Sequence, residues 1–296
     1  MPIYFTKNGN LILIEKTSYT WYLYHLMSVE SPFISTHHPS RLAEKSEKEL
    51  FRDVIEAEYN GVKLDMVPYL DAFIRVGGFT LKTEKGDLPD PNKLLIIAVN
   101  HHSRQRFFTT KESLRVVGIA TVSTRNEGIS EKDIAWMVRH LPIPLVGIGK
   151  MARQVQNATG PVFDSIPART VKKLSIKGFV PRYRETMTNE DTISLIKRVT
   201  HRVQNNFALG VLPEQEPSFE LKPYHRNFAR TLDNLKLLSS DYQIATIASF
   251  YERNLAFAVY GPVIGIQKET DIHEAATKVM KGIAQGLPRK LKGHYA

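Results

Sequence analysis

Apolar residues recur at helical spacing in two early stretches. From about Arg41 to Ala57 a chain dense in Glu and Lys carries Leu42, Leu50, Val54 and Ile55, and from Val67 to Arg75 it carries Tyr69, Leu70, Phe73 and Ile74. Both patterns predict helices. Gly77-Gly78 closes the second, and Phe79 to Leu81 opens an extended segment. The stretch from Gly86 to Lys93 is turn chemistry, and it feeds Leu94-Leu-Ile-Ile-Ala-Val99, the strongest buried-strand pattern in the chain. Val116 to Val122 reads as a second strand. Ser130, with Asp133 three residues on, reads as the cap of a helix. Thr188 to Asn206 predicts a long helix with Ile193, Leu195, Ile196, Val199 and Val203 on its apolar side. Ala208 to Leu212, Ile244 to Ala248 and Leu255 to Tyr260 read as strands. Strands separated by helices predict an α/β fold with a mixed, largely parallel sheet flanked by helices. The organisation expected is a helical N-terminal extension over 1–85, an α/β domain over 86–272, and a basic C-terminal helix or tail over 273–296.

Composition then narrows the chemistry. The 296 residues are 42% hydrophobic and 24% charged, the balance of a globular protein. Cysteine is absent, which excludes disulfide scaffolds, thiolate zinc sites and thiol nucleophiles. Forty Lys and Arg against thirty Asp and Glu leave a formal charge of +10, which calls for an anionic partner. The excess is concentrated. Lys150 to Arg184 holds eight basic residues against one acid, Asp164, and Ala275 to Ala296 holds five basic residues and no acid. The first stretch has only Phe163, Phe179 and Tyr183 for base stacking and no recognisable module, which disfavours nucleic acid. Thr17 to Val29 is thirteen uncharged residues, short of the roughly 20 a membrane span needs. Its Tyr19, Trp21, Tyr22 and Tyr24 fit either a bilayer interface or a packed core. Met1 to Asn10 lacks a signal-peptide pattern, so a cytoplasmic protein, peripheral to a membrane, is expected.

Familiar site motifs fail on inspection. Gly149-Lys150 is followed by Met151 where a phosphate loop needs Ser or Thr, and His273-Glu274 meets Thr277 where a zinc helix needs a second His. No Gly-x-Ser-x-Gly elbow occurs, and no metal site is expected. One constellation stands. The Leu94–Val99 strand runs into Asn100-His101-His102-Ser103, placing histidine at the strand edge where α/β folds bind ligands. A neutral imidazole there can take a proton from a hydroxyl. Leu209-Gly-Val-Leu-Pro213-Glu214 follows a later helix, with Ser218 four residues further on.

In order and spacing these segments resemble the glycerolipid acyltransferase family, which carries Asn-His-x-Ser-x-x-Asp after a strand and Phe-Pro-Glu-Gly-Thr-Arg-Ser later. Asn100, His101 and Ser103 match the first motif; Pro213, Glu214 and Ser218 match the second. Gly86-Asp-Leu-Pro89 resembles the approach to the first strand, and Ile166-Pro-Ala-Arg169 a middle motif in which an Arg ends a short strand. The resemblance spans about residues 86 to 265. It implies transfer of an acyl group from acyl-CoA or acyl-carrier protein, as co-substrate and with no bound cofactor, to a lipid or other hydroxyl acceptor at an anionic membrane surface. His101 would be the base, Glu214 its catalytic companion, and Asn100, Ser103, Arg106, Arg169, Glu216 and Ser218 would bind acceptor or donor. The chain departs from the pattern at Arg106, where the family has its aspartate, and at Gln215-Glu216-Pro217, where it has Gly-Thr-Arg. An Arg106–Glu216 ion pair across the site would reconcile the two changes. The alternative is a catalytically inactive homologue that binds lipid or a protein partner.

Overall fold

The computed structural model describes residues 3–5, 11–13, 42, 44–59, 64–104, 109–130, 132–139, 166–168, 171–177, 180–186, 189–214 and 217–296. The chain divides into two units, Met1–Ile34 and Ser35–Ala296. In the first, β1 (Ile3–Phe5) pairs antiparallel with β2 (Leu11–Leu13), so the N-terminal extension is not wholly helical. The aromatic stretch Thr17–Val29 lies outside the described residues.

The second unit opens with α1 (Glu47–Tyr59) and α2 (Met66–Val76). α1 starts later than its apolar pattern because Ser46 and Glu49 form a capping box: the Glu49 carboxylate accepts from Ser46 N–H at 2.8 Å, and the Ser46 hydroxyl accepts from Glu49 N–H. Asp65 caps α2 through Val67 N–H. A sheet follows whose strands are β3 (Thr80–Glu84), β4 (Leu94–Val99), β5 (Ile134–Arg139), β6 (Ile166–Ala168), β9 (Ala208–Val211), β10 (Asp241–Glu252) and β11 (Leu255–Gln267). Their order is β3-β11-β10-β4-β9-β5-β6. From β10 to β6 all neighbours are parallel; the β10–β11 hairpin supplies the antiparallel junction, and β3 runs parallel to β11. β7 (Val171–Lys177) and β8 (Val180–Thr186) form a separate antiparallel pair.

Two sequence expectations are overturned. Val116–Val122 is not a strand but the middle of helix α3 (Thr109–Asn126). A short apolar run does not distinguish a buried strand from a buried helix by itself. Here Gly118 lets α3 close on Leu70 of α2, and the Thr121 and Thr124 hydroxyls bond carbonyls one turn back, at Val117 and Ala120. Ser130 caps no helix: its hydroxyl accepts from Lys132 N–H in a turn leading into β5, and Asp133 O already receives Ala208 N–H at the start of the β5–β9 ladder. α1, α2 and β3 belong to the same unit as the sheet, and both helices pack into one core with β4, α3, β10 and β11.

β4 is buried on both faces. Leu95, Ile97 and Val99 belong to the core with α1, α2 and α3; Ile96 and Ala98 belong to the opposite core with α4 (Asn189–Gln204), α5 (Arg226–Lys236) and α6 (Ile272–Gln285). That alternation is the period of a strand with helices on both sides. α6 is followed by two short turns, Arg289–Leu291 and Gly293–Tyr295, rather than by an extended tail. Among the described residues no helix is long and apolar enough to cross a membrane.

Candidate functional site

The loop after β4 leads to α3 on one face of the sheet, and the loop after the neighbouring β9 leads to α5 on the other. Adjacent parallel strands whose connections part to opposite faces leave a crevice at their carboxyl ends, the usual ligand position in open α/β sheets. Asn100 to Ser103 follow β4 at this edge of the sheet, and Pro213, Glu214 and Ser218 follow β9.

Each motif residue has a defined local role. The Asn100 carboxamide extends the β4–β10 ladder by one step, donating to Ser249 O at 2.9 Å and accepting from Ser249 N–H at 2.6 Å. Gln243 makes the corresponding two-way bond with the Asp90 backbone before β4, so side-chain amides fasten both ends of that strand. Glu214, 5% exposed, joins segments 113 residues apart. One carboxylate oxygen accepts His101 N–H at 2.6 Å; the other accepts Lys222 N–H at 2.9 Å and the Ser218 hydroxyl at 3.2 Å. Ser218 also zips the motifs through the backbone: it donates N–H to His101 O at 3.0 Å and accepts Ser103 N–H at 2.9 Å, forming a parallel bridge with His102. Glu214 therefore holds the backbone of His101 and ties it to Ser218 and Lys222.

His102 was not singled out from the sequence, yet its ring is held in a defined orientation. Its Nδ1 lies 3.1 Å from Phe219 O. A carbonyl only accepts, so Nδ1 carries the hydrogen and Nε2 holds the lone pair. Among the described residues that buried Nε2 has no hydrogen-bond partner. The ring sits between Phe219 and Tyr251, with the Arg104 guanidinium 5.3 Å from the Tyr251 centroid. The sequence signal for His102 was only its place beside His101.

Burial governs the electrostatics. Desolvation pushes His101 down to about 4. It pushes His102 down to about 4 as well, opposed by the Phe219 hydrogen bond and helped by Arg104. The same burial raises Glu214, against the bonds from Lys222, His101 and Ser218 and the Lys222 charge. Both imidazoles are thus neutral near pH 7, the form a base requires. As pH falls below the unfolded value of about 6.5 the unfolded chain takes up protons first, so stability declines until the folded value near 4 is passed. At pH 5 each imidazole costs about 2 kcal/mol relative to pH 7. Glu214, raised, works the other way, its protonation relieving a penalty as pH falls. Urea unfolding is expected to show a net loss of stability from pH 7 to pH 5, roughly halved in His102→Gln. A flat profile would contradict the burial of these rings.

The structure brings together Asn100, His101, Ser103, Glu214 and Ser218. Arg106, Glu216 and Arg169, and with them the Arg106–Glu216 pair, lie outside the described residues; β6 ends at Ala168, one residue before Arg169. The side chains of the Lys150–Arg184 stretch lie outside them too.

No family model and no curated protein matches the sequence. Among solved structures, the chain is similar to the crystal structure of PlsC, the 1-acyl-sn-glycerophosphate (LPA) acyltransferase of Thermotoga maritima, at 10% identity and a TM-score of 0.41, over 83% of this chain and 84% of that one.

Proposed function

We propose that this protein transfers an acyl group from a thioester, acyl-CoA or acyl-carrier protein, to the hydroxyl of a lipid acceptor. The observation that carries the reading is the union of two distant motifs at the sheet edge, His101 N–H on Glu214 and Ser218 bridged to His102. In this reading His101 takes the acceptor's hydroxyl proton and the oxygen attacks the thioester carbonyl. The tetrahedral intermediate then expels the thiol sulfur, which leaves with the proton held by the imidazolium. Glu214, Asn100, Ser103 and Ser218 hold the loop in register, and Arg106, Arg169 and Glu216 are assigned to acceptor or donor. Acting on a lipid, the protein works peripherally at an anionic surface.

His101→Ala is expected to lower thioester-to-hydroxyl transfer by 10²- to 10⁴-fold, the range of a general base, in a radiolabelled or thiol-release assay. A second reading rests on the fixed tautomer of His102 and makes its Nε2 the base. Loss in His102→Ala with retention in His101→Ala selects it. Background-level turnover by the wild type would end the enzyme reading and leave the inactive lipid- or partner-binding homologue, which salt-dependent co-sedimentation with anionic vesicles detects.

A further inference from the structure

The basic C-terminal stretch is divided in the folded protein. Lys278 pairs with Glu274 at 2.7 Å, one turn back on α6, and Lys290 pairs with Glu252 at 3.7 Å. Lys281 and Lys292 have no carboxylate partner among the described residues, and they converge instead on one groove of about 600 Å³. α6 supplies one wall. Ala275, Ala276, Val279, Met280 and Ile283 are buried, which leaves Thr277, Lys281 and Gln285, four residues apart, on the groove side. The two turns after α6 supply another wall with Lys292, His294 and Tyr295. They are folded back rather than trailing: Leu291 is buried, Leu291 O accepts Leu221 N–H at 2.8 Å, and Leu221 O accepts His294 N–H. Gly293, at φ +51°, lies where a Cβ would come within 2.4 Å of Leu221 O, so the fold-back needs glycine there. Pro223 and Tyr224 close the groove, on the same loop whose Lys222 N–H is held by Glu214. The lining holds no Asp or Glu, and Ala296 completes it beside Tyr295.

We infer that this groove binds a phosphate ester, with Lys281, Lys292 and His294 contacting the phosphate oxygens beside the Tyr224 and Tyr295 rings. Two ammonium groups and an imidazole around a volume within the usual range of small-molecule sites fit a phosphorylated head group. Two sources carry this chemistry in the acyl-transfer reading, on which the choice of probes rests: the phosphorylated end of the donor's carrier thiol and the phosphate of an acceptor.

Calorimetric titration of the full chain at low salt with coenzyme A, glycerol 3-phosphate and inorganic phosphate tests it without turnover. At least one probe is expected to bind, and the Lys281→Gln/Lys292→Gln double variant to weaken that binding at least tenfold. Lys278→Gln/Lys290→Gln, which removes the same charge from paired surface positions, is expected to change Kd less than twofold. Selective binding of coenzyme A assigns the groove to the donor, and of glycerol 3-phosphate to the acceptor; equal binding of inorganic phosphate shows that the phosphate itself is read. Absence of binding by the wild type, an unchanged Kd in the first double variant, or equal weakening by both double variants would overturn the inference. Since His101→Ala reports turnover and these titrations report binding, failure of one is distinguishable from failure of the other.

Discussion

Glu214→Ala is expected to lower the unfolding free energy by about 3–5 kcal/mol, because two backbone donors, one buried and one half-buried, lose their acceptor at once. An unsatisfied buried donor costs about 1–3 kcal/mol, and the donors here are His101 N–H and Lys222 N–H, whereas the Ser218 hydroxyl keeps Glu220 O at 2.6 Å. Glu214→Gln is expected to cost less, about 2 kcal/mol, since its one remaining oxygen still accepts while its NH₂ faces a donor. Urea unfolding followed by circular dichroism measures both. In the acyl-transfer reading turnover falls in step, because the residue that sets the height of the His101 backbone is gone. A Glu214→Ala protein as stable as the wild type would show that the two motifs are held together by something else.

The second large effect lies one strand away. Gly210 of β9 stands opposite Trp136 of β5 in the ladder, and a Cβ on it would lie 2.4 Å from two atoms of the indole ring. The indole cannot swing aside cheaply: it is 2% exposed, and its Nε1 donates to the Thr121 hydroxyl of α3 at 3.0 Å. Gly210→Ala is therefore expected to destabilise by about 3 kcal/mol, the upper part of the range for overpacked cores. For a domain of this size that is a fall in Tm of about 6–12 °C. Trp136→Leu in the same background frees the space and is expected to recover part of the loss, a coupling that a double-mutant cycle reads directly. Additive effects would mean that Gly210 is required for its backbone and not for the ring.

Much of the fold was legible in the residues. The Leu94–Val99 strand, the helices near Val67 and Thr188 and the strand after Ala208 depend on patterns that local burial reproduces faithfully. The two misread segments show where such patterns stop. Val-Val-Gly-Ile-Ala-Thr-Val reads as β by the preference of branched side chains, but the chain leaving β4 needs a helix to cross back for the next parallel strand. Ser-x-x-Asp before Ile134 has the form of a cap, yet the cap forms only where a helix follows, and Ala208 N–H was waiting for Asp133 O. The aromatic residues around His102 could not be read at all, since Tyr251 and Phe219 come from distant parts of the chain.

The sequence by itself determined the α/β class, the strand that carries Asn100 and His101, and the order and spacing of the two motifs. These depend on periodicity and on residue identity, which are local. Only the tertiary structure decided what the motif residues do for one another. It made Glu214 the clamp on the His101 backbone, and it gave His102 a fixed tautomer. It also split the C-terminal charge into paired lysines and a groove. The physical reason is common to all three: a hydrogen bond or a charge acts through distances of a few ångströms, and the partners that supply those distances lie far apart in the chain.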